Sequence, residues 1–570
     1  MNVDTCDGTA YVAGGWRRAA AAIDKSRILN RTPEAMKKAI LAAICVLTLW
    51  PGPSASGYEP LANEGKEGLH ARSIEQVLRL RGEDVDLATA VLIVSEQWSD
   101  LVPGRRHLET LDDMAIEVRE RLKSKRLKPD YRAIPVINEY LFEELEFKSL
   151  AEATDPNDLF LHTVLDKRKG YCLSLGVLYL SIAERLGLPL YGVVVPGHFF
   201  VRYDDGRTRF NIETTSKGGS ASDEHYKSKF KVPDGDENSI YLKNLNKIQV
   251  LGCFFNNLGN SYSDIGNMDS AMLALLQAVQ INPTLSESRA NLGNVYLKRG
   301  QIVEATQQYE AALAINPNDP KTHNNLGNAY SERGWMNYAI SEYLRSLEID
   351  PKFLDAHRNL AIAYTKQERY REAVAQLKEA IDLKPNDADC YGHLGDVYCQ
   401  MEKYDQAVAQ YKKALKLNPR VSEAHYGLGV CYGKLGRVED EIQAYKNVLA
   451  VKPDMLNALV NLGNAYFGQD KYDLAIELYE RAAVVSPQEG MIFYNIGSAY
   501  SNKGDYGEAV AAYVRAVELN PDIGDAHYGL AFGYYQLKNY DLAWKHVQIA
   551  QKLGVKVSED QLKAIKSRLP

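Results

Sequence analysis

The chain has 570 residues, 45% of them hydrophobic and 25% charged, and 67 basic against 74 acidic side chains leave a net charge of -7. That size and composition describe a globular chain of several domains and exclude a disordered or fibrous one. A mean hydropathy of -0.33 excludes a polytopic membrane protein, the acidic balance offers no global field for nucleic acid, and seven cysteines without Cys-x-x-Cys spacing exclude a disulfide-built scaffold and disfavour a structural zinc module.

The first predicted element is an export signal. Met36-Lys37-Lys38 is basic, Ala39 to Trp50 is an apolar run, Pro51-Gly52-Pro53 breaks it, and Ser54-Ala55-Ser56 supplies small residues for cleavage. This basic, apolar, small order is that of a secretory signal. The run is also shorter than the roughly 20 residues a membrane-crossing helix needs. Arg17-Arg18 lies too far from the apolar run to serve a twin-arginine signal. Residues 1–56 are therefore read as prefix and signal peptide, and residues 57–85 as a linker. The mature protein is expected outside the cytoplasm, in the periplasm or another extracytoplasmic space of a bacterium, with no integral membrane span after signal removal. Five cysteines remain past Ser56: Cys172, Cys253, Cys390, Cys399 and Cys431.

Residues 86–235 form the next predicted domain. Asp86 to Lys123 and Ala133 to Leu150 have helical patterning. Cys172 stands at the start of an apolar helix ending near Gly187-Leu188-Pro189, where the dipole and free N–H groups favour a thiolate. Leu190 to Val195 and His198 to Tyr203 read as strands, and Thr208 to Thr215 as a returning strand. A two-residue Asp205-Gly206 turn makes Asp204 face Arg207, puts Glu213 directly across from His198, and leaves Asn211 opposite Phe200. Such neighbours orient an imidazole through Nδ1. A cysteine at a helix start, a histidine on a strand and a carboxylate on the next are a nucleophile, a base and an orienter. Backbone N–H groups at the helix start supply an oxyanion hole.

At these residues the chain resembles the transglutaminase-like superfamily. Gly170-Tyr171-Cys172 matches the family's Gly-x-Cys motif, and Pro196-Gly197-His198 and Phe210-Asn211-Ile212-Glu213-Thr214-Thr215 match its histidine and acidic segments in order. Asp155-Pro156-Asn157-Asp158, Arg185 to Leu190 and Pro196 to Arg202 resemble a bacterial branch with a helical N-terminal extension. Many proteins of that branch lack the cysteine; this chain has it. The family usually carries Asp where this chain has Glu213, with Asn211 as the alternative orienter. The resemblance implies an α+β papain/transglutaminase-like fold and a catalytic set of Cys172, His198 and Glu213 or Asn211.

After a linker at 236–251, prolines recur at 283, 317, 351, 385, 419, 453, 487 and 521, a strict 34-residue beat. Leu-Gly pairs such as Leu292-Gly293 and Leu326-Gly327, tyrosines such as Tyr296 and Tyr330, and alanines such as Ala305 and Ala339 keep it. This resembles the tetratricopeptide repeat, in nine copies over 252–557. A capping helix over 558–570 follows, with Ser558 as N-cap and Gln561 three residues on. The resemblance implies an all-α solenoid whose concave face holds protein or peptide partners, so the whole protein is mostly α.

Asn257, Asn291, Asn325, Asn359, Asn461 and Asn495 precede the Leu-Gly position and resemble an asparagine ladder that grips peptide backbone. The other reading is that they bridge neighbouring repeats. His323, His357, His425 and His527 share one repeat position, and helix spacing keeps them from converging on a metal. No phosphate-binding glycine loop and no metal cluster is visible, so neither cofactor nor metal is expected. Two functions fit. One is an exported cysteine-dependent acyl-transfer enzyme, a peptide or isopeptide hydrolase or transamidase, with a partner-binding arm. The other is a non-catalytic scaffold whose middle domain is degenerate.

Overall fold

The computed structural model describes residues 63–64, 70–98, 102, 104–150, 155–232 and 240–569. The expected signal at 36–56 lies outside them. Two units are distinguished, 1–113 and 114–570. In the first, α1 (Leu87–Trp98) is buried from Leu87 to Ser95, as a helix apolar on every face must be. Asp86 Oδ1 starts it by accepting the Thr89 N–H at 2.7 Å. The charged helix α2 (Gly104–Ser124) runs across the boundary into the second unit.

The second unit continues with α3 (Ala133–Asn138), extended as a π-helical turn over Glu139–Glu144. Helix therefore ends short of the expected Leu150. Glu146 takes a left-handed conformation (φ 56°), and Lys148–Ser149 pairs in parallel with Lys169–Gly170. Between those strands lies α4 (Leu161–Lys167), and after them α5 (Cys172–Arg185). Strands β1 (Leu190–Val195), β2 (His198–Asp204) and β3 (Arg209–Ile212) form an antiparallel sheet in sequential order. Helix α5 approaches the sheet closely because Phe199 is wedged between two glycines. A Cβ at Gly176 would meet its ring at 2.6 Å, and one at Gly192 at 2.5 Å. That approach brings the first residue of α5 to the first residue of β2.

The hairpin differs from the expected two-residue turn. Asp204 pairs with Arg209, not Arg207, and Arg202 pairs with Asn211. The loop is four residues long because aspartate side chains organise it. Asp205 Oδ1 accepts the N–H groups of Arg207 and Thr208 at 2.9 and 2.6 Å, and Asp204 Oδ1 accepts that of Gly206 at 3.1 Å. The register moves by two residues, so every side chain keeps its face. The return strand also stops at Ile212. Glu213 caps a short 3₁₀ turn, Thr214–Ser216. Helix α6 (Asp223–Phe230), N-capped by Ser222, completes this domain.

The repeat array begins at Lys247, inside the expected linker, because Asn246 and Gln249 form a capping box. Helix pairs follow to Lys552, and every second helix but the last stops two residues before its proline, as at Ile281, Ile315 and Ile349. The prolines' fixed φ and missing N–H account for the beat. Within a repeat the Leu-Gly glycine receives a tyrosine ring from the second helix. A Cβ at Gly293 or Gly327 would lie 2.6 or 2.5 Å from Tyr309 or Tyr343. The same tyrosines donate to Asn294 and Asn328 at 2.8 and 2.7 Å. The last helix, Glu559–Lys566, starts from Ser558, whose hydroxyl accepts the Gln561 N–H. Among the described residues no helix is long and apolar enough to cross a membrane.

Candidate active site

Cys172 is the first residue of α5 and half-buried. Tyr171 precedes it in extended conformation and donates its N–H to Ser174 Oγ at 2.8 Å. The N–H groups of the first helical turn have no acceptor within the helix. They lie at the end of α5 that begins with Cys172, where a negative oxygen on an acyl carbon would be stabilised. His198 opens β2, and the Cys172 side chain of α5 lies near enough to help push its pKa up.

Glu213 reaches the same histidine from a diagonal position. Its Oε2 lies 2.6 Å from His198 Nε2. Glutamate's additional methylene spans the offset left by the two-residue shift, since diagonal neighbours across a sheet stand farther apart than direct ones. Nε2, not the expected Nδ1, faces the carboxylate. The carboxylate is saturated. Thr215 gives its N–H and hydroxyl to Oε1 at 3.1 and 2.5 Å, and Tyr226 gives its hydroxyl to Oε2 at 3.0 Å. Phe230 lies flat against the imidazole, centroids 4.9 Å apart and planes 2° off parallel.

Burial pushes the His198 pKa down, but Cys172 and Glu213 outweigh it, and the group is pushed up to about 9. Burial pushes Glu213 up, but His198 and Thr215 outweigh it and hold the carboxylate below its ordinary value of 4.5. The signs define a pH window. The His198 contribution to stability is complete below its ordinary pKa of 6.5 and is lost as pH rises through about 9. Glu213 contributes above 4.5, and its share is lost as pH falls through the depressed value. Stability from the pair is therefore expected to peak between pH 4.5 and 6.5 and to fall by at most about 3 kcal/mol toward alkaline pH. Urea midpoints measured against pH should show this alkaline slope in the native chain and a shallower one in Glu213→Gln. An equal slope in both would contradict the assignment.

Asn211, the alternative orienter, is elsewhere. Its side chain accepts from Arg202 Nε at 2.7 Å and donates to Ala221 O and Asp223 Oδ1 at 2.9 and 2.7 Å. It belongs to a buried cluster around Arg202, whose other partners are Leu242 O at 2.7 Å and Asp223 Oδ1 at 2.5 Å. This cluster ties β2 and β3 to the start of α6. Tyr226 and Phe230 also belong to the site, although no motif in the chain marks them. Ser222 as a cap and two aromatics four residues apart on one helical face were the available signal.

Most of the expected asparagine ladder joins repeats. Asn291, Asn325 and Asn359 donate to Asn256, Asn294 and Asn324 of the preceding repeats at 2.9–3.1 Å. Asn461 donates to the Tyr426 and Tyr445 hydroxyls. Asn257 accepts a long bond of 3.5 Å from Asn256, and Asn495 makes none. A cavity of about 260 Å³ opens beside the first rungs, lined by Asn260, Asp264, Asn291, Asn294, Lys298 and Asn325 among others. The repeat histidines are structural. Nε2 of His323, His357, His425 and His527 donates to the carbonyl of the proline six residues before, at 3.0–3.1 Å. Among the described residues no group of three or more His, Cys, Asp or Glu is arranged to hold a metal.

Residues 105–252 match the transglutaminase-like superfamily profile. Tetratricopeptide profiles match 254–285, 274–307, 293–334, 327–368, 363–401, 395–436, 422–455, 454–522 and 494–554. A UPF0162 protein of Xylella fastidiosa is 36% identical over 124 residues, 21% of this chain and 43% of that protein. F-box only protein 21 of Mus musculus is 36% identical over 76 residues, 13% of this chain and 12% of that one. The chain thus spans less than half the length of these curated relatives. The crystal structure of MamA is 25% identical with a TM-score of 0.27, covering 29% of this chain and 97% of that one.

Proposed function

We propose that this chain, which carries a transglutaminase-like domain followed by tetratricopeptide repeats, is an exported cysteine-dependent acyl-transfer enzyme acting on peptide or isopeptide amides, with the repeats as its partner-binding arm. The single observation that carries the reading is the convergence of Cys172 and Glu213 on His198, with Glu213 hydrogen-bonded to the ring. The export part rests on the order of residues 36–56 alone.

The chemistry follows from that convergence. Cys172 Sγ attacks the amide carbon, and the carbonyl oxygen becomes negative near the free N–H groups of α5. As the C–N bond breaks, the proton held on His198 passes to the leaving amine, and a thioester remains on Cys172. Water or a second amine then attacks the thioester, gives its proton to His198, and the sulfur leaves. Glu213 holds the ring in place and stabilises its charge throughout. The cavity beside Asn291, Asn294 and Asn325 supports a peptide-sized contact on the arm, where unused amide valences remain.

Incubation of the folded protein with an acyl-donor panel of glutaminyl and isopeptide-linked peptides, followed by acid quench and peptide mass mapping, tests the reading. The expected result is an acyl adduct on the Cys172 peptide, discharged by hydroxylamine. Absence of any adduct, with the repeats still capturing a partner, would favour the scaffold.

A further inference from the structure

The Glu213 oxygen that faces His198 has a second donor, and it is buried. Tyr226 is 2% exposed, and its hydroxyl meets Glu213 Oε2, the same oxygen that faces His198 Nε2. Its ring stacks on Phe200 with centroids 3.9 Å apart and planes 9° off parallel, so the hydroxyl cannot swing away without unpacking the core. The helix that carries it is held at its start by Arg202 and Asp223 and lays Phe230 on the imidazole.

We propose that Tyr226 is a positioning residue of this site: by sharing Glu213 Oε2 with His198 it fixes the carboxylate and limits how strongly that carboxylate holds the proton on the imidazole. The inference rests on the acyl-transfer reading only for its consequence on rate; the hydrogen-bond geometry stands without it. A carboxylate oxygen with two donors has its charge divided between them, and each bond is weaker than it would be alone. A histidine that binds its proton too tightly is a poor acid for the leaving amine. The phenol is the group that moderates it. The titratable and charged groups facing this arrangement are Cys172 from α5 and Glu213 from the end of the sheet. Arg202, Asp223 and His225 lie around Tyr226 itself. Burial and the Glu213 charge push the Tyr226 phenol well above its ordinary range, so it stays a donor at every pH at which His198 titrates.

The experiment is histidine-selective isotope labelling of the full chain, with the His198 ring followed by NMR against pH. Tyr226→Phe keeps the ring and removes the hydroxyl. The expected result is an upward move of the His198 midpoint by about one pH unit, a tenfold change in proton binding. Thr215→Val removes a hydroxyl from the other carboxylate oxygen without touching α6, and is expected to move the midpoint the same way by less. An unmoved midpoint in a folded Tyr226→Phe protein overturns the proposal, and so does a downward one. If Tyr226→Phe does not fold, the sign of the Thr215→Val shift decides. Should the midpoint move while the native chain forms no acyl adduct, the positioning role stands and the acyl-transfer reading falls. Where turnover is measurable, Tyr226→Phe is expected to lower kcat, leave KM unchanged and displace the alkaline limb of the pH profile.

Discussion

Cys172→Ala is expected to reduce acyl transfer by roughly four to six orders of magnitude, because no other group in the site can form the thioester. His198→Ala should lose nearly as much, and the double variant little more, since groups that act as one unit are not additive. The fold should persist in Cys172→Ala. The residue is half-buried at a helix start, and alanine is a good helix former there. A shared unfolding midpoint with lost turnover is the outcome that supports the mechanism. Turnover within tenfold of the native chain would remove Cys172 from it, and the scaffold reading would then stand on the repeats alone. Three of the other four described cysteines offer no substitute, and the fourth, half-buried Cys399, has its pKa lowered by its contact with Cys431 in the repeats and not by a histidine. Cys253, Cys390 and Cys431 are buried in the repeat helices, and burial pushes Cys253 and Cys390 up to about 12.

Arg202→Met is expected to cost about 3–5 kcal/mol of stability, the range for breaking a buried charged pair from one side. The guanidinium has no solvent exposure and serves four residues at once. It reaches Asn211 on β3, Asp223 at the start of α6, and Leu242 and Asn244 in the segment leading to the repeats. Burial pulls its pKa down, with the Asp223 charge opposing this. Methionine fills much of the volume, removes the Arg202 donor from Asp223, Asn211 and the Leu242 carbonyl, and leaves Asp223 to Asn211 and Arg209. Arg202→Lys should rescue poorly, because one ammonium cannot reproduce the planar fork. Urea unfolding of the native chain and both variants tests this, and a loss below about 1 kcal/mol in Arg202→Met would show that water replaces the cluster. The His198 resonance should also broaden in Arg202→Met, since α6 carries the ring stacked on it.

The legible parts of this protein are those governed by local rules. The 34-residue beat is a proline stopping a helix and a glycine admitting a tyrosine, repeated. Cys172 at the start of α5 follows from an extended residue before an apolar helical run. The illegible parts depend on side chains meeting from distant segments. Asp205-Gly206 is a strong two-residue turn signal, yet Asp204 and Asp205 bind the loop's own N–H groups and hold it at four residues. That contest between side chain and strand pairing is not readable from the dipeptide. The asparagines carry the same limit. A row of amides at helical spacing is compatible with a peptide or with the next repeat, and Asn256, Asn294 and Asn324 take several of the bonds.

The order of domains, the repeat period and the residue types that a nucleophile, base and orienter require are legible along the chain, because each rests on spacing between residues. That Glu213 reaches His198 on the diagonal through Nε2, that Asn211 serves Arg202, and that Tyr226 and Phe230 close the site are settled by folding in three dimensions. Those outcomes follow from a two-residue change of register and from a helix folded back over the sheet, and both are set by packing between segments.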